Sequence, residues 1–204
     1  MKMHNDIIQG SDEWLQLRSG IPTASSFDKI ITPTGKQSAQ ADGYANLLIA
    51  ELITGKPEEI WRGNMWSERG KVLEPDAVLL YEMQTDRKTD IVGFVTRAGM
   101  GCSPDRLIGD DGLLEIKSPA PHTHVEYLLK NTIDPGYIPQ VQGQMYVTGR
   151  KWVDWYSYYP ELPPVIIRVE RDEAYLEKLA QYMADFFTLL ESKKARLIEL
   201  GYIS

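Results

Sequence analysis

The chain has 204 residues, 43% hydrophobic and 25% charged, a composition expected of one globular domain spanning 1–204 with room for a sizeable core. A net charge of −7 argues against coating nucleic acid with a broad basic surface; if the chain acts on DNA, its basic residues must be gathered in one place. The single cysteine, Cys102, excludes an internal disulfide; with no apolar run of membrane length and no apolar signal core in "MKMHNDIIQG", a cytoplasmic location is expected.

In chain order, "SDEWLQLRSG" predicts a short helix, with Ser11 as N-cap, acids in the first turn and Gly20 after the end. "TASSFDKII", capped by Thr23, predicts another. Residues 32–40, "TPTGKQSAQ", predict a mobile loop. "DGYANLLIAELITG" has apolar residues at helical spacing and stops at Gly55. "SERGKVLEPDAVLLYEMQ" is helical in pattern, but Pro75 inside it predicts a kink or a restart. "KTDIVGFVTR" and "LLEIKSP" predict strands, "HTHVEYLLKN" a helix, and "IPQVQGQMYVTG" a helix beginning near Pro139. "KWVDWYSYYP" and "PVIIRVER" are aromatic and β-branched, the pattern of strands. A long terminal helix follows, with Asp172 as N-cap. Helices first, a sheet in the middle and helices over it define an α/β or α+β domain. Cys102, His4, His122 and His124 show no zinc spacing; His122 and His124 read as a polar helix start.

The chemistry concentrates in "CSPDRLIGDDGLLEIKSP". Asp111-Gly112 is a hairpin signal. Folding back there sets Asp105 opposite Ile116 or Ser118. Side chains alternate along a strand, so Glu115 and Lys117 share one face. Two readings fit. One is an exposed hairpin with a weak surface ion pair. The other is a site for a hard cation such as Mg²⁺, with Asp105, Glu115 and the Ile116 carbonyl as oxygen donors and Lys117 beside the bound water.

Other segments bear on the choice. "SPDRL" followed by "LEIKSP" resembles the Pro-Asp…Glu-x-Lys motif of the restriction-endonuclease-like nucleases. "GSDEWLQLRSGIPTASSF", "ERGKVLEPDA", "IPQVQGQMYVTG" and "VERDEAYL" resemble, in order and over nearly the whole chain, segments of the phage lambda exonuclease (YqaJ-like) family. The resemblance implies a restriction-endonuclease-like α/β core, a central mixed sheet flanked by helices. It implies a 5′-to-3′ exonuclease on linear double-stranded DNA ends that uses Mg²⁺, with Mn²⁺ able to substitute, in a two-metal hydrolysis. It implies 5′-mononucleotide products, a 3′ single-stranded overhang, a ring-shaped homotrimer and a phage single-strand annealing protein as partner. The setting is the cytoplasm of a bacterial host, without a membrane.

Residue by residue, Asp105 and Glu115 match the metal ligands, with the Ile116 carbonyl, and Lys117 matches the catalytic lysine. Glu74 matches a helix glutamate near the metals, and Gln142 the helix glutamine that supports the site; Gln142 and Tyr146 share a helix face. Arg18, Ser25 and Ser103 match a 5′-phosphate pocket. Met65 and Trp66 are candidates for a strand-splitting wedge. Lys36, Arg62, Arg69 and Lys71 are candidates for the channel side of the ring. An endonuclease or repair nuclease of the same superfamily, and a non-catalytic DNA-binding module, are the competing readings.

Overall fold

The computed structural model of the chain describes residues 1–55, 57 and 65–203; of 65–68 only the backbone is described. Arg62 and the side chains of Met65 and Trp66, the channel and wedge candidates, lie outside it. Strand β1 (Lys2–His4), helix α1 (Asp12–Arg18), a 3-10 helix (Ala24–Lys29), α2 (Ala41–Thr54) and α3 (Met65–Thr85) come first. Then follow β2 (Phe94–Arg97), β3 (Met100–Cys102), β4 (Arg106–Ile108), β5 (Gly112–Lys117), α4 (Pro121–Lys130), a 3-10 turn (Pro135–Tyr137), α5 (Ile138–Thr148), β6 (Trp152–Ser157), β7 (Val165–Glu170) and α6 (Glu173–Glu199). Among the described residues, no helix is long and apolar enough to cross a membrane.

The strands form two sheets rather than one. A small antiparallel sheet has the order β1-β2-β3, and a mixed sheet has the order β4-β5-β6-β7. In the mixed sheet, β5 runs parallel to β6 and antiparallel to β4. Leu113 and Trp155 face the main core beneath α5 and α6, while Leu114, Ile116 and Tyr156 face Ala77 and Tyr81 of α3. Helices thus cover both faces of β5, and alternation sends Glu115 towards α5.

Three local expectations need revision. Helix α3 continues through Pro75 instead of restarting. The 32–40 loop is tied down: Thr32 N donates to Lys36 O, Ser38 N to Ile30 O, and the Tyr175 hydroxyl to Thr32 O. The hairpin turns over Gly109–Asp111, not at Asp111-Gly112, because Ile108 pairs with Gly112 and Arg106 with Leu114. Extending that register sets Asp105 opposite Glu115. Gly109 supplies the turn's positive φ of 50°. Gly112 is held in the strand by a neighbour, since a Cβ there would lie 2.2 Å from the Trp152 ring.

Arg150 locks this hairpin. It is buried, and its Nη1 donates to the carbonyls of Gly109 and Gly112, both at 2.7 Å. Replacing it with methionine keeps the stem but leaves those carbonyls short of a donor. Arg150→Met should lower unfolding stability by about 2 kcal/mol; an unchanged midpoint in urea denaturation would contradict this role.

Candidate active site

Helix α1 starts cleanly because the Ser11 hydroxyl accepts from Trp14 N at 3.2 Å. Four residues on, Arg18 stacks over the Trp14 ring, 4.1 Å from its centroid. Trp14 Nε1 donates to Ser103 Oγ at 2.7 Å. Arg18 Nη2 donates to Ser25 Oγ at 3.2 Å and to Thr23 Oγ1 at 3.4 Å. The candidates Arg18, Ser25 and Ser103 are therefore brought together, joined by Trp14. Arg18 also lines a cleft with Thr23, Ser26, Lys29, Tyr44 and Glu51. Burial pushes its guanidinium down to about 10, partly offset by Tyr44 and Glu51, so it is a cation at neutral pH. With Lys29 also lining it, the cleft suits an anion; the Ser25 and Thr23 hydroxyls both accept from Arg18 and bond each other at 3.3 Å, so one of the two keeps its proton to donate outward.

Two residues after Ser103 comes Asp105. Its position is fixed by Gln9, whose amide donates to Val92 O and Pro104 O, each at 3.0 Å. Asp105 Oδ2 accepts from Ile116 N at 2.5 Å. Lys117 O accepts from Tyr158 N, so the Lys117 backbone faces β6. The Ile116 backbone therefore faces the opposite edge, towards Asp105. Glu115, only 3% exposed, takes three donors: Lys117 Nζ and Gln140 Nε2 on Oε1, and Gln144 Nε2 on Oε2, all at 2.6 Å. Lys117 Nζ also donates to Gln140 Oε1 at 3.3 Å and lies 4.9 Å from the Tyr137 ring centroid. Glu74 reaches the group through Arg106, whose Nη1 donates to Glu74 Oε1 and to Asp105 O, both at 2.6 Å.

Gln142 is not part of this cluster. Residues 140 and 144 are one helical turn apart and face β5, which turns 142 away. Gln142 Nε2 donates to Glu170 O at 2.9 Å, and its Oε1 accepts from Asp172 N at 3.0 Å, tying β7 to the start of α6. Tyr146 shares that far face and lies under Arg97. The residues that sequence reasoning missed are Gln140 and Gln144; the signal was the alternation "PQVQGQ", which puts two of its three glutamines on one face. His124 is buried between Ser157 Oγ and Pro163 O, while His122 is exposed, so the two do not converge.

The site holds an excess of negative charge. Burial, then the Glu115 charge, drive the Asp105 carboxyl well above the usual carboxylate range, against the pull of Lys117 and the Ile116 amide. Burial alone would lower Lys117, but Glu115 and Asp105 outweigh it and raise the ammonium above its ordinary value. Among the described residues, no three His, Cys, Asp or Glu side chains form a ready-made metal cage. Two carboxylates and a strand carbonyl on one edge are instead the donor set of an ion that keeps most of its waters, as Mg²⁺ does. An oxygen-only site with uncompensated negative charge fits such a cation.

This α/β architecture is that of the restriction-endonuclease-like nuclease superfamily. The YqaJ-like viral recombinase domain matches residues 13–151, and the chain belongs to that family. An alkaline exonuclease from Laribacter hongkongensis (LHK-Exo) is 34% identical, with 93% of this chain and 100% of that one covered, at a TM-score of 0.78. Its complex with dAMP gives 0.79 at the same identity and coverage. A phage-related exonuclease from Haemophilus somnus 129PT shares the fold, with a TM-score of 0.71 over 87% of this chain and 96% of that one at 14% identity. No curated protein matches.

The raised Asp105 has a consequence for stability. In the metal-free protein the folded chain holds a proton that the unfolded chain releases above its ordinary carboxylate value. The stability this group contributes is thus present at low pH and is lost as pH rises through the folded value. Asp105→Asn keeps the acceptor for Ile116 N and removes the charge. Its melting temperature in chelator should exceed that of the parent at pH 8, and the gap should shrink as pH falls towards 4. A lower melting temperature at pH 8 would contradict the excess of negative charge.

Proposed function

We propose that the chain is a 5′-to-3′ exonuclease on linear double-stranded DNA, releasing 5′-mononucleotides and leaving a 3′ single-stranded overhang for annealing-based recombination. The coarser part of this reading, a DNA exonuclease of the recombinase family, rests on the family match and on the likeness to an alkaline exonuclease. The polarity rests on one observation: Ser103, bonded to the Trp14 on which Arg18 stacks, and Asp105 of the carboxylate cluster lie on the short link between β3 and β4. Two residues span at most ~7 Å, the reach of a single nucleotide. A terminal 5′-phosphate held at Arg18, Ser25 and Ser103 leaves the next phosphodiester at Asp105 and Glu115. A 3′ end offers no such phosphate, so the cleft sets direction. That LHK-Exo forms a complex with dAMP supports a mononucleotide product.

Asp105, Glu115 and the Ile116 carbonyl would hold Mg²⁺, or Mn²⁺ in its place. When bound, the metal supplies charge to polarise the phosphodiester and lowers the pKa of a bound water. Lys117, kept protonated by its acid neighbours, stabilises the charge that develops on the phosphate and orients the attacking water. Gln140 holds Lys117 and Glu115 in one triangle. Glu74 places Arg106 beside the Asp105 link. The acidic net charge fits a ring-shaped homotrimer that encloses DNA instead of adhering to it through a broad basic face. The single-strand annealing protein of the same phage is the proposed partner for the 3′ tail.

The test uses three duplexes with Mg²⁺: linear with 5′-phosphate ends, linear with 5′-hydroxyl ends, and covalently closed circular. The first should be digested to nucleotides, the second more slowly and the third not at all. Lys117→Ala should slow the first by roughly 10²–10³-fold. Cutting of the circle would make the chain an endonuclease, and full activity of Lys117→Ala would remove the assigned chemistry.

A further inference from the structure

Glu115 has two carboxylate oxygens in different surroundings. Oε1 points towards the half-buried Lys117 and Gln140, each 2.6 Å away. Oε2 points inward and takes its bond from Gln144 Nε2 at 2.6 Å. Gln144 is 1% exposed, and its own Oε1 has no hydrogen-bond partner among the described residues. A buried acceptor without a partner costs stability. An apolar side chain of the same volume would fill this place beneath α5 without that cost. What the amide provides, and an apolar chain cannot, is the N–H on Oε2. The carboxylate needs this donor because alternation sends Glu115 into the core. The carboxylate is held at both ends: Oε2 is taken up by the buried Gln144, and Oε1, bonded to the half-buried Lys117 and Gln140, is the oxygen on the less buried side.

Resting on the nuclease reading above, we propose that Gln144 is a positioning residue that makes Glu115 a one-oxygen ligand and so sets which divalent cation the site prefers. Small cations with octahedral demands are served by single carboxylate oxygens and retained waters. Calcium accepts carboxylates through one oxygen or two and tolerates irregular geometry. Holding Oε2 away from the site thus favours Mg²⁺ and Mn²⁺ over Ca²⁺. Gln140 differs in kind: it touches Lys117 as well as Glu115 and is partly exposed.

Calorimetric titration of the full chain with Mn²⁺ and with Ca²⁺, without DNA, tests this directly. The Gln144→Met variant keeps the volume and loses the amide. Its melting temperature should fall, since Oε2 loses its donor, with part of the loss offset by removal of the unpartnered Gln144 Oε1. Its Mn²⁺ affinity should fall about 10–100-fold, the usual effect of removing a ligand's hydrogen-bond partner, while its Ca²⁺ affinity falls much less. If Gln144→Met does not fold, Gln144→Asn, too short to reach Oε2, carries the same comparison. Equal losses for the two ions, or a Mn²⁺ affinity within twofold of the parent, would overturn the proposal. A parent chain that binds neither ion would overturn the nuclease reading itself, and this inference with it.

Discussion

A nearly buried carboxylate, Glu115, is the constraint that the rest of the site answers. Desolvating that charge is costly unless several donors surround it. The donors come from two directions, Lys117 from its own strand and Gln140 and Gln144 from α5. Helix α5 must therefore lie close over β5, and its other contacts serve this. At Gly143, a Cβ would stand 2.4 Å from Phe27 of the 3-10 helix, so only glycine permits this approach. That 3-10 helix carries Ser25, which accepts from Arg18 of the anion cleft. One helix thus sets the distance between the two halves of the site, and the link from Ser103 to Asp105 does so again from the other side.

The opposite face of the mixed sheet shows what a structural charge cluster looks like in the same protein. Asp154, 1% exposed, accepts from the Tyr81 hydroxyl at 2.5 Å, Arg87 at 2.9 Å and Arg168 at 2.7 and 2.8 Å. Arg168 also lies 3.6 Å over the Trp152 ring. There one carboxylate meets two guanidiniums, and the acid is over-compensated. At the hairpin, three acids (Asp105, Glu115 and Glu74) meet Lys117 and Arg106. The two clusters lie on adjacent strands, on opposite faces of the sheet, yet only the one at the hairpin leaves negative charge for a cation to neutralise. This contrast separates the proposed metal site from an ion-pair network more clearly than the residue types do.

Much of this was legible before the fold was known. Alternation alone put Glu115 and Lys117 on one face, and helix caps at Ser11 and Asp172 were readable from local chemistry. Long-range contacts decided what was not. Both Gly109 and Gly112 can serve a turn; Arg150 and Trp152, about 40 residues away, select the first, and the register of Asp105 follows. Three alternating glutamines do not reveal which helix face meets the sheet, so Gln142 stood where Gln140 and Gln144 belong. Trp14 entered no expectation, because what joins it to the site is a bond to Ser103 that spans 89 residues. Strand β1 pairs with β2 across a comparable distance, which no local pattern in "MKMHNDIIQG" announces. Lys29 became a candidate only when the cleft placed it beside Arg18.

The central claim is that Asp105 and Glu115 form a cation site because the hairpin leaves their charge unbalanced. The most direct measurement is anomalous diffraction from crystals of the protein grown with Mn²⁺. The account predicts a manganese peak bound by Asp105 and by one oxygen of Glu115, with Ile116 O on the same edge. A manganese peak elsewhere, with Lys117 still bound to Glu115 and no ion at Asp105, would contradict it.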